Sequence, residues 1–532
     1  MVTDGEGVMV ERVVRRIVEE IVASAPEGWT GAVLAGRVSR GGGSSVSGGY
    51  GVPGARHHHS VPTLHAELCD LGTALQEARG WDRANLEIQC LPSGEYRVVA
   101  TPDAVDRQSG MRGGFQIVLD PDRRLPQPGF EQEGSTAAPA GDPRLAAERF
   151  RAYLERRAAI LGRPDELPPP ASAAALDEVE RRIGRALPPD LRALYAIADG
   201  ERLAPRPRRL FEGSVWMPLS ELIAEYDWWR EPPWLGWDHN WDSVVFDAHP
   251  ADTVRRCGGH PDWIPFVTHE DGNVLAVDMA PARDGRPGQV IEIGRDHHDG
   301  PAYVADSVTS LLGGYLELLR QGAYELDNGH LDLLEPAQEV PRHQHIGGGI
   351  PEVVPPTLQA IHINKQPSPV DLAPLTAGRS LRRVHLNRCA TADLTPLRSL
   401  PVESLRVVLD PAGDLTPLEG HRHLSSLALA SAAPVDIAPL RTAPNLRGLD
   451  LAWANVRDLP LLADLPDLRY LSLNGRQWAV LLKANRVPPT LAAAHLGGDY
   501  ASLDQALDWA AFLGTRLGEP FRATGTVGTG AG

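Results

Sequence analysis

At 532 residues, with 42% hydrophobic and 23% charged side chains, the chain is too long for one core and has the balance of a folded multidomain protein. Its formal charge of −17 disfavours direct nucleic-acid binding, because a surface that grips phosphates must be basic. No uninterrupted apolar run reaches the ~18 residues of a membrane span, and Cys69, Cys90, Cys257 and Cys389 lack the paired spacing of a zinc site or a disulfide framework.

The opening segment has charges inside every apolar run. Val10, Val13, Val14, Ile17 and Ile21 fall on one face at 3.6-residue spacing, so an amphipathic helix is expected rather than a signal peptide, and with it a cytoplasmic location. "GWTGAVLAGRVS" and "GEYRVVATPD" read as strands, and "HAELCDLGTALQEA" as a second helix with Leu68, Leu71 and Leu75 on its face. Residues 1–122 are therefore expected to form a small α+β domain. The arrangement is similar to YezG-type immunity domains of bacterial toxin systems. The stretch 123–142 is rich in Pro, Gly and small polar residues and reads as a linker.

In the next block, 143–330, "ALDEVERRIGRALPPDLRALYAIADG" sets Leu176, Val179, Ile183 and Leu187 on one helical face. Pro188 and Pro189 stop that helix and start the next, and Gly200 ends the pair. "DWIPFVTHEDGNVLAVDMAP" and "GRPGQVIEIGRD" predict three short strands with Asp-Gly turns, followed by a helix in "VADSVTSLLGGYLELLRQG" capped by Asp306. The helix pair ending in "DG", the "WIPF" hairpin, "GQVIE" and "VADS", in that order, resemble the SUKH superfamily (Smi/Knr-like). That resemblance implies an α+β domain without catalytic activity, used in bacteria mostly as an immunity protein that binds and masks a toxin. It also marks the Trp-rich "YDWWREPPWLGWDHNWD" as an insert on variable ground.

Residues 331–356 read as a second linker. Beyond them, "DLTPL" occurs at Asp393 and again at Asp414, with looser copies at Asp371, Asp436 and Asp458, a period of 21 or 22 residues. Between them runs L-x-x-h-x-L, at Leu358, Leu381, Leu424, Leu446 and Leu468, with a degraded copy read from Leu405. Each such segment predicts a short strand that pairs in parallel with its neighbours, about six in all, and each Asp-h-x-Pro-h predicts a capped helical turn. The pattern resembles bacterial leucine-rich repeats of the 22-residue kind, although Gln366, Cys389, Ala432, Ala454 and Arg476 stand where those repeats carry Asn. A leucine-rich-repeat domain is expected over 357–515 and a disordered tail over 516–532.

Candidate chemistry is sparse. His57, His58, His59, His65 and His260 lack matched ligand spacing, no G-x-S-x-G or P-loop occurs, and "DHHDG" at 296–300 reads as a solvated loop. No catalytic residue, cofactor or metal is expected, and the chain is read as a non-enzyme. The expected partner site is the insert with its acidic neighbours: Trp228, Trp229, Trp234, Trp237, Asp238, Trp241, Asp242, Glu270 and Asp271. A rival surface is the row of Arg382, Arg406, Arg447 and Arg469, each following the first Leu of a repeat. The main expectation is an immunity protein that neutralises a polymorphic toxin, such as a nuclease. The alternative is a regulatory scaffold that assembles endogenous signalling or cell-wall partners.

Overall fold

A computed structural model describes residues 4–40, 44–54, 59–102, 105–107, 113–201, 209–211, 213–327, 330–334, 343–346, 350–364, 369–498, 502–517 and 526–530. The molecule is multidomain, with an α+β unit at each of the first two positions and a sheet-rich C-terminal region. The N-terminal unit packs helices Asp4–Ala23 and His65–Arg79 on an antiparallel sheet built around Gly31–Ser39 and Arg83–Cys90. Val13, Val14, Ile17 and Ile21 are buried, as their spacing requires. The outermost strand of that sheet is Thr526–Gly530, antiparallel to Tyr96–Thr101, so part of the segment expected to be disordered returns to the first domain.

The middle unit has a five-stranded antiparallel meander with Trp263–Thr268, Asn273–Asp278 and Gln289–Gly294 at its centre. Helices Pro143–Leu161, Ala173–Ile183 and Val308–Gln321 bury their apolar faces against it. The hairpin turn needs the left-handed region at Glu270 and Gly272, which the glycine adopts without strain. Ser307, not Asp306, caps the last helix: its hydroxyl accepts from the Ser310 N–H, and Asp306 instead accepts from Tyr303.

In the C-terminal region, eight strands from His343–Ile346 to Ala493–Gly497 pair in parallel, in chain order. The inward positions are filled by Ile361, Val384, Leu405, Leu427, Leu449 and Leu471, all essentially inaccessible, which form one continuous core. On the opposite edge, Asp371, Asp393, Asp414 and Asp436 each accept from the N–H two residues on and start a 3₁₀ turn with Pro in its first turn. Asp458 makes no such bond. The count exceeds six because "LAAAHL" at Leu491 is a further copy and His343–Ile346 adds a strand before the first.

The register corrects one copy of the motif. Val384 pairs with Leu405 and His385 with Arg406, so the repeat runs Val402-Glu403-Ser404-Leu405-Arg406-Val407 and starts three residues earlier than Leu405. Its position after the first apolar residue is therefore Glu403, and the arginine row contains a carboxylate.

The blocks are joined. Phe115–Val118 adds antiparallel to Ala493–Gly497, so Phe115 and Ile117 of the first block close the end of the repeat core. Residues 123–142 do not behave as a free linker. Gln127 Oε1 accepts from Gly258 N–H, Gln132 Oε1 from Arg256 N–H, and the Arg255 guanidinium reaches the carbonyls of Gly129 and Gln132. Main-chain groups that would otherwise face water are satisfied on the middle domain, and this holds the segment down as a strap.

Candidate partner-binding site

The Trp-rich insert enters on helix Leu219–Trp229 and turns at Gly236, whose positive φ of 96° favours glycine. The short helix Trp237–Asn240 follows, closed by Leu235 N–H donating to Asn240 Oδ1. Trp237 and Trp241 are 0% and 2% exposed. Trp241 stacks on Tyr470 of the repeat sheet, with ring centroids 4.8 Å apart. The seat is cut for it: Ser404, Ser426 and Gly448 are paired in adjacent strands, and a Cβ on Gly448 would meet the Trp241 ring and carbonyl at 2.8 Å.

Polar groups lock the same contact. Arg256 donates to both oxygens of Glu403 at 2.6 and 2.8 Å, and Arg382 bridges Glu403 at 2.8 Å and Asp247 at 2.6 Å. Gln359 brackets the Asp247 peptide, accepting from its N–H at 2.8 Å and donating to its carbonyl at 2.9 Å. Arg406 reaches Asp242 at 3.3 Å, and Arg383 lies over the Phe246 ring. Two arginines and two carboxylates with little solvent form a neutral cluster, in which each charge is compensated only while all its partners are present.

This geometry corrects the expectation of two independent surfaces, because the insert and the arginine row face each other. Trp237, Trp241 and Asp242 are turned into the chain. Trp229 is buried with its indole N–H on Glu225, and Trp234 is edge-on to Trp237 with Arg124 over its face. Arg382 and Arg406 serve the domain contact, while Arg447 and Arg469 share Asp467. Burial alone would raise the Asp467 carboxyl, but the hydrogen bonds from Arg469 and Arg447 outweigh it and hold it below the ordinary carboxylate range. Glu270 pairs with Arg209 at 2.8 Å, and Asp271 accepts from Asn273 N–H within its own turn. Asp238 lies 2.9 Å from His239. Trp228 alone of the five expected tryptophans is open, at 72% exposure.

What remains accessible is a cleft of about 1360 Å³ where the insert, the strap and the N-terminal edge of the repeat strands meet. Trp228, Trp234, Leu235 and Phe130 line one side, and Arg422, His423, Arg447 and Arg469 the other. Glu403, Asp247, Phe130 and Arg422 were not singled out in the sequence. Only the frame of the Val402 repeat could have flagged Glu403.

Catalytic geometry is weak. Ser214 Oγ lies 2.8 Å from His269 Nδ1, and His269 Nε2 lies 3.6 Å from Glu292, but Ser214 is buried. Among the described residues no three His, Cys, Asp or Glu side chains are placed to hold a metal ion. His57 and His58 lie outside the described residues. No described helix is long and apolar enough to cross a membrane.

Comparison with known proteins places the middle unit. Residues 170–314 match the SMI1 / KNR4 family (SUKH-1). A glucan synthesis regulatory protein of Neurospora crassa is 28% identical over 192 residues, 31% of this chain and 36% of that one. The cell wall biosynthesis/cell cycle regulator smi1 of Schizosaccharomyces pombe is 29% identical over 166 residues, 30% of this chain and 31% of that one. The chain thus spans about a third of the length of these curated relatives. Among solved structures, an internalin C2 of Listeria monocytogenes aligns with 22% of this chain and 53% of its own, at 24% identity and a TM-score of 0.20. The ordered helix pair, the "WIPF" hairpin and the capped final helix coincide with the matched range, and residues 170–314 are a SMI1/KNR4 (SUKH-1) domain.

Proposed function

We propose that this chain is a non-catalytic regulatory protein that binds other proteins, with its SUKH-1 domain held rigidly against a leucine-rich-repeat solenoid. The observation that carries the reading is the SUKH-1 match itself, since the relatives that share it are named as regulators of glucan synthesis or of cell wall biosynthesis. The domain contact supports it: a neutral, mostly buried ionic cluster and a stacked Trp–Tyr pair present two domains to a partner as one surface. The immunity reading came from the same resemblance, and the site expected for it was an acidic, aromatic face offered to a basic toxin. Asp242, Glu270 and Asp271 instead have partners within the chain, which leaves that reading the weaker.

The test is affinity purification of the tagged full chain from its own cells, followed by cross-linking and mass spectrometry. The regulatory reading expects stoichiometric recovery of an endogenous enzyme or assembly protein of signalling or envelope synthesis. Recovery of a toxin domain whose activity the chain abolishes at one-to-one stoichiometry would replace it with the immunity reading.

A further inference from the structure

We infer that the cleft between the insert and the repeat edge docks an acidic segment of a partner protein that carries apolar anchors, a surface that rests on the binding reading above but specifies its site and chemistry. The cleft is two-sided. Phe130, Trp228 and Leu235 are 50%, 72% and 58% exposed, an unusual grouping of large apolar side chains at one mouth. Pro232 and Pro233 stiffen the same wall, which lowers the entropy lost when a chain settles on it.

The facing wall is the start of successive repeat strands, bearing Arg422, His423, Arg447 and Arg469. Arg422 is exposed and has no ion pair among the described residues. The cleft is lined by six arginines and four carboxylates, and Asp467 is shared by Arg447 and Arg469, which leaves an excess of one positive charge where the whole chain carries −17. The local field therefore runs against the global one and favours an anionic occupant.

The volume of about 1360 Å³ exceeds the ~300–1,000 Å³ of ordinary small-molecule pockets. A polymer segment fits better. Between polymers, the carboxylates decide. Glu131 and Glu231 line the cleft with no ion pair among the described residues, and they would oppose a strand with a charge at every nucleotide. A peptide can place its acidic residues beside Arg422 and its apolar ones beside Trp228 and Leu235, leaving the glutamates to solvent.

The experiment is selection of phage-displayed dodecapeptides on the full chain, with the enriched peptides synthesised and titrated by fluorescence anisotropy. The account expects enrichment of Asp or Glu together with aromatic or aliphatic residues. It expects Trp228→Ala and Arg422→Glu each to weaken those peptides at least tenfold, and Trp453→Ala, exposed elsewhere, to leave them unchanged. All three side chains are at the surface, and unchanged melting curves would confirm that the variants fold. Enrichment of basic peptides, no enrichment, insensitivity to both cleft variants, or tighter binding of a single-stranded oligonucleotide than of any peptide would each overturn the inference. An endogenous partner retained by both cleft variants would refute the cleft and leave the binding function standing.

Discussion

His421 shows how a single side chain can tie stability to pH. Its Nδ1 accepts from the Leu424 N–H and its Nε2 donates to the Leu397 carbonyl, an arrangement that requires the neutral ring. Burial pulls its pKa below the ordinary value of 6.5. The unfolded chain therefore binds the proton more readily, and stability falls as pH drops below about 6.5. His421→Gln should be less stable than the parent at pH 8 by about 1–2 kcal/mol, for the bonds lost. That gap should narrow by pH 5, as read by urea melts across the range, and a gap independent of pH would refute the assignment. Leu427, wholly buried in the repeat core, should cost about 2–5 kcal/mol when changed to Ala. A loss well under 1 kcal/mol in a urea melt would contradict its packing. Such core positions were legible because a strict period states which residues face inward. Gly448 was not legible, since nothing near it in the chain announces that the indole of Trp241, far earlier in the sequence, needs the space.

Among the elements, those with strong local signals were found from the sequence: the helix pair, the hairpin at Asp271-Gly272, and the Asp-Pro turns. The misjudged ones were decided by distant partners. The 123–142 segment has linker composition, and polar main chain there could as well meet water as Arg255. The Val402 repeat was instead misread because Leu405 imitates a repeat start; the period of 21 or 22 residues between Leu381 and Leu424 already points to Val402, and pairing of Val384 with Leu405 gives the same frame. The strap supplies a test at this scale. Arg255 donates to the carbonyls of Gly129, Gln132 and Ala280, so Arg255→Ala should free the strap and make 123–142 the first site of tryptic cleavage, with the parent resistant there. Equal cleavage of both proteins in that segment would show that the arginine does not hold it.

In the molecule as a whole, the SUKH-1 domain and the repeat sheet form one body. Glu403 joins two arginines from the two domains, and removing it would leave Arg256 and Arg382 with Asp247 alone. Breaking such a cluster costs about 3–5 kcal/mol, enough to open the contact locally without unfolding either domain. The sequence showed both charged surfaces but not their mutual pairing, because complementarity across a domain contact has no period. The Asp247 amide reports the contact directly, as it donates to Gln359 of the repeat sheet. Hydrogen exchange at that amide should be slow in the intact chain and at least a hundredfold faster in Glu403→Ala, with the inner strands of both domains still protected. Fast exchange at Asp247 in the parent, or no change in the variant, would contradict the claim.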